Sequence, residues 1–243
     1  MKLALAHAHA ETMTMARYPA YAVPTVAFPG ILMLLVGSRF ERGEPERMLA
    51  GFAAMALLTV TFFQFGVGIA TARMTPWETY LRTLPASATT RLAGRVLSAL
   101  VFAVATVGVV AVVGIAVYGA RLSPARFAAL GASLLIGCIP FALLGVAFGY
   151  WLPPRAALPI ANIVFLPLAI GGALWARPEG LPHVADVASQ TLPTRSWMEV
   201  LDSVTTGDDP LPLHHVAALI GWSAVFFAAA RVGYRRDEGE RFT

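Results

Sequence analysis

Six stretches of this chain contain no Asp, Glu, Lys or Arg: residues 18–38, 48–72, 96–120, 127–154, 156–176 and 210–230. Each exceeds the ~20 residues that a helix rising 1.5 Å per residue needs to cross ~30 Å of hydrocarbon. In lipid a spanning segment must satisfy its backbone N–H and C=O groups internally, and alternating strands of the barrel type are absent. The expected fold is therefore all-α: a polytopic bundle of six transmembrane helices in a single domain, residues 18–243, preceded by a cytoplasmic arm, residues 1–17. The first run is not a cleaved signal, because some twenty uncharged residues holding Pro19, Pro24 and Pro29 follow Arg17.

Composition supports a membrane solvent and excludes several functions. Only 13% of the 243 residues are charged and 57% are hydrophobic, against about 25% charged in soluble chains. The net charge of +4 comes from 18 Lys and Arg scattered singly, not from the clustered face that nucleic-acid binding requires. Lys2 is the sole lysine, so the phosphate-binding loop that needs a lysine after its glycine cannot exist here. Cys138 is the sole cysteine, which rules out an internal disulfide or a CxxC site. No HExxH or GxSxG occurs, and uncharged spans offer no intramembrane proton relay. No catalytic residue and no cofactor are expected in this chain.

With six crossings both termini share a side. The N-terminal arm, the second and fourth connections and the tail carry eleven basic against five acidic residues, whereas the opposite side carries seven against nine. Both termini are thus expected in the cytoplasm. Residues 1–17 mix Leu3, Leu5, Ala10 and Met13 with polar residues, as in a helix lying along the interface. His7 and His9 point to different helix faces, and His183, His214 and His215 lack a carboxylate at ligand spacing, so no metal site is expected.

After the second span, residues 73–85 read MTPWETYLRTLP following Arg73. Thr75 can cap a helix, Pro76 suits its first position, Glu78 lies in the first turn, Arg82 in the last, and Pro85 stops it. Trp77, Tyr80, Leu81 and Leu84 share one face of this short helix, which fits either the membrane interface or a protein groove. Pro140, Pro159 and Pro167 are expected to kink or break the fourth and fifth spans, and Gly145 with Gly149 permits close helix approach. Residues 177–209 are too polar to span and suit short outward-side helices or a re-entrant cap. At membrane depth the strongest polar groups are Gln64 and Asn162, near Thr61, Phe65 and Phe165; they either pair between helices or line a path for a substrate.

The order of these features resembles the membrane subunit of type-2 ABC exporters. The matching pieces are the Glu11 to Arg17 approach, TFFQFGVGIATAR running into MTPWETYLRTLP, IPFALLGVAFGY, PIANIVFLPLAIGGALW and the outward LPHVADVASQTLP. The resemblance implies a separate ABC ATP-binding subunit in two copies, which would hold the ATP and Mg, and a second permease chain forming a homodimer or heterodimer. It places the coupling role on Thr75, Pro76, Trp77, Glu78, Tyr80 and Arg82, supported by Glu11 and Arg17. It also places Gln64, Thr61, Phe65, Asn162 and Phe165 beside the path of a drug, lipid or peptide-like substrate. It implies a location in the bacterial inner membrane. A departure occurs at WARPEG, where many relatives continue with an apolar stretch. A non-transporting scaffold or sensor subunit is the alternative, and a secondary carrier is disfavoured by the uncharged spans.

Overall fold

The computed structural model describes residues 2–37, 44–76, 88–174, 183–207 and 210–239. Among these the regular structure is entirely helical: α1 (Lys2–Ala16), α2 (Pro19–Val36), α3 (Pro45–Thr61), a π-helical segment (Phe62–Val67), α4 (Gly68–Ala72), α5 (Ala88–Ala116), α6 (Pro124–Gly137), α7 (Ile139–Trp151), α8 (Pro154–Gly171), α9 (His183–Ser189), α10 (Pro193–Thr206) and α11 (Leu213–Gly239). Five continuous helical stretches are long and apolar enough to cross a membrane, and Ala22–Val36 in α2 is a shorter apolar one. The 18 residues of α2 rise about 27 Å, close to the hydrocarbon thickness. The polytopic bundle expected from the charge-free runs is the fold observed.

Proline sets several helix starts. Pro19, Pro45, Pro124, Pro154 and Pro193 each occupy the first helical position, where the missing N–H would have no intrahelical acceptor. The fourth run bends at Cys138, the junction between α6 and α7, with Pro140 at the second position of α7. By contrast α8 remains one helix through Pro159 and Pro167. The outward segment forms the short helices α9 and α10, the latter closed by Gly207, whose φ of 69° suits a left-handed cap.

The second span is the hub. Of its most apolar window 78% is buried inside this single chain, against 17% for the last span. Small residues explain why neighbours come so close. A Cβ on Gly145 would lie 2.8 Å from Thr61 O, and one on Gly149 would lie 2.6 Å from Ile69 Cβ, so α7 rests directly on the π segment and α4. Gly51 similarly abuts the carbonyl of Leu174. At the end of the bundle that carries α10, Trp197 is fully buried, stacks on Phe141 at 5.1 Å, and donates its indole N–H to Ser133 O at 3.2 Å. Gly137 faces that ring so closely that no side chain fits there.

Candidate functional site

The mid-membrane group is built around the π segment. Thr59 and Thr61 return their hydroxyls to Met55 O and Leu57 O, both at 2.8 Å, a pattern that slightly loosens and bends helices. Immediately afterwards Phe62–Val67 takes the wider winding, and the Gly68 N–H reaches Phe63 O, five residues back. The extra residue turns Phe62 against Phe148 of α7, centroids 5.1 Å apart, and Phe63 against Phe165 of α8, 5.5 Å apart. Phe65 is buried against Gly145.

Gln64 is buried within this segment. Its amide nitrogen donates to Met15 Sδ of α1 at 3.3 Å, while its Oε1 is buried and accepts no hydrogen bond among the described residues. Asn162 is exposed on the outer face of α8 and returns its amide to Leu158 O at 3.0 Å. Thr61, Gln64 and Phe65 are thus buried at the π segment, which Phe165 meets through Phe63, whereas Asn162 faces away from the single chain. No contact among the described residues joins the two amides. Met15 could not be read as the partner of Gln64 from local pattern, because the two are brought together only when α1 folds back onto the bundle.

A second group forms the end of the bundle that carries the first helix. Glu11 accepts a hydrogen bond from Arg95 Nε at 3.1 Å, Thr12 donates to Ser98 at 3.0 Å, and His7 packs on Gly94. The face of α1 that meets α5 therefore holds Ala8, Glu11, Thr12 and Met15, while Leu3, Leu5 and Met13 point outward. Arg17 is exposed. Thr75 follows α4 and donates its hydroxyl to Ala72 O at 2.8 Å, with Pro76 beside it. Trp77, Glu78, Tyr80 and Arg82, the remainder of the expected coupling helix, lie outside the described residues.

At this same end Arg73 donates to Tyr150 O at 2.6 Å and pairs with Asp237 at 3.3 Å. Arg236 lies over the Trp151 ring at 4.9 Å. These groups surround a cavity of about 250 Å³ lined also by Leu152, Pro153 and Gly233. Arg73, Arg95 and Asp237 were not singled out from sequence. The available signal was opposite charge at the ends of successive spans, but charge alone does not say which ends meet.

The opposite end is tied by ion pairs as well. Arg47 meets Asp202 at 3.2 Å, the Arg121 N–H donates to Glu46 at 2.7 Å, and Arg195 bridges to Glu199 at 2.8 Å. His215 lies 3.3 Å from the Ser196 hydroxyl. The Arg47–Asp202 and His215–Ser196 contacts seat α10 on α3 and α11.

An apolar bundle with a central span carrying a π-helical segment and with charged, paired ends is a polytopic membrane architecture. The chain belongs to the ABC-2 type transporter family, whose model matches residues 4–204. It is similar to a Bacillus subtilis (strain 168) protein named "Putative transport permease YvfS", with 22% identity over 198 residues covering 82% of this chain and 80% of that protein. Membership defines a multi-pass membrane transport subunit and implies, in general, an ABC ATP-binding partner.

Proposed function

We propose that the chain is the membrane half of an ATP-driven exporter that moves a hydrophobic or amphipathic substrate out of the bacterial cytoplasm. Two permease chains, identical or different, would enclose the path, and two ATP-binding subunits holding ATP and Mg would supply the energy. Both termini are assigned to the cytoplasm on the arginine distribution. The observation that carries this reading is the hub itself: the most buried span runs through a π bend and ends at Thr75 and Pro76, where the coupling segment begins. A movement applied at that end would act directly on the span contacted by α5, α7, α8 and α10.

Closure of the ATP-binding subunits would displace the coupling segment, with Trp77, Glu78, Tyr80 and Arg82 as its contact face and Glu11 and Arg17 as neighbours. The central span would transmit that displacement, and its bend would let the halves rearrange. A path formed between chains rather than within one fits Asn162, which faces out of the single bundle. A Trp77→Ala/Glu78→Ala double variant should lose the ATP-binding partner on co-purification, or keep it without substrate-stimulated hydrolysis, while its circular dichroism stays helical. Normal assembly together with normal stimulated hydrolysis would overturn the coupling assignment.

A further inference from the structure

The cavity between the ends of α4, α7 and α11 has the chemistry of an anion site facing the bilayer interface. Its lining acid, Asp237, is engaged by Arg73, and that same arginine covers the last carbonyls of α7 through Tyr150 O. The negative groups of the cavity are thereby offset. Arg236 is different: it is exposed, has no carboxylate partner among the described residues, and lies over the Trp151 ring, its Cζ 4.9 Å from the centroid. Trp151 is itself pinned, because its indole N–H donates to Ala229 O at 2.9 Å, yet 47% of the residue is exposed. Gly233 keeps the floor open for this ring, since a Cβ there would lie 2.7 Å from it. Leu152 and Pro153 supply an apolar wall where the chain turns back into the membrane toward α8.

An indole shelf, a guanidinium with no carboxylate partner among the described residues and an apolar wall at the membrane boundary match one ligand chemistry, a phosphate ester attached to acyl chains. We propose that this cavity binds the headgroup of an anionic phospholipid from the inner leaflet, with Arg236 as the phosphate contact and Trp151 as the shelf beneath it. A volume of about 250 Å³ admits a headgroup and leaves the acyl chains outside along the lipid-facing surface of α11. The site rests on the cytoplasmic placement of the termini proposed above and does not depend on ATP coupling. Bound lipid would brace the end of α11 against α7 beside Arg73, next to the start of the coupling segment.

The test uses the full purified chain, delipidated in detergent and titrated with phosphatidylglycerol or phosphatidylcholine, with bound lipid counted by native mass spectrometry. Wild-type protein should retain phosphatidylglycerol about tenfold more tightly than phosphatidylcholine, and Arg236→Gln should abolish most of that preference, as loss of a charge-assisted hydrogen bond requires. Arg236→Lys should keep a preference of several-fold, and Arg155→Gln, at an exposed arginine outside the cavity, should behave as wild type. Unchanged preference in Arg236→Gln, equal retention of both lipids by the wild type, or full competition by glycerol 3-phosphate at matched concentration would each overturn the assignment. The last would place the phosphate in solution rather than in the bilayer.

Discussion

At Gly145 the limit on side-chain size is a carbonyl, Thr61 O, 2.8 Å from where a Cβ would stand. A backbone atom of the central span cannot turn aside as a flexible side chain can. Gly145→Val should therefore destabilise the bundle by about 1–3 kcal/mol or more, read as a fall in melting temperature in detergent of about 2–4 °C per kcal/mol. Gly131, with open space around its would-be Cβ, gives the contrast: Gly131→Ala should leave the melting temperature unchanged or raise it slightly, since alanine favours helix by about 0.5–1 kcal/mol. Gln64 tests a different property. Its Oε1 is buried without a hydrogen bond among the described residues, a group that costs about 1–3 kcal/mol. Gln64→Leu should hold or raise the melting temperature. If the amide serves the path, substrate-stimulated hydrolysis by the assembled transporter should fall even so, and unchanged stimulation would remove Gln64 from the path.

Among the elements, α1 and the π segment show where sequence reasoning succeeds and where it stops. Charge-free runs locate spans because burying an unpaired charge in hydrocarbon is expensive, and that rule is local to each segment. The interruption beside Pro140 and the close approach at Gly145 and Gly149 were legible from local residue chemistry, a missing N–H and a missing side chain, whereas α8 runs unbroken through Pro159 and Pro167. Pairings between distant segments were not legible. Glu11 and Arg95 lie 84 positions apart, and nothing in either neighbourhood selects the other. The π winding at Phe62–Val67 arises from an added residue accommodated by packing against α7 and α8, so periodicity alone could not reveal it. The Glu11–Arg95 pair is largely buried, with 15% and 20% of its side chains exposed. Glu11→Ala, which removes this charge-assisted hydrogen bond, should loosen α1 by about 1.5–3 kcal/mol, giving about tenfold or more faster hydrogen exchange in residues 2–16, with exchange in the central span unchanged.

On the scale of the whole molecule, the two ends of the bundle are clasped while the lipid-facing surfaces carry the exposed apolar residues. Arg47 with Asp202 and Glu46 with the Arg121 N–H tie one end, and Arg95 with Glu11 and Arg73 with Asp237 tie the other. On the proposed reading the central span, held at both ends, transmits a movement that a partner applies; the sequence holds no lysine-bearing phosphate loop. Reconstitution into vesicles with and without an ABC ATP-binding subunit, followed by measurement of substrate efflux on ATP addition, tests that dependence most directly. Outward movement that requires both the partner and hydrolysable ATP is the predicted result. Equal efflux from vesicles holding this chain without any nucleotide-hydrolysing partner would contradict the account.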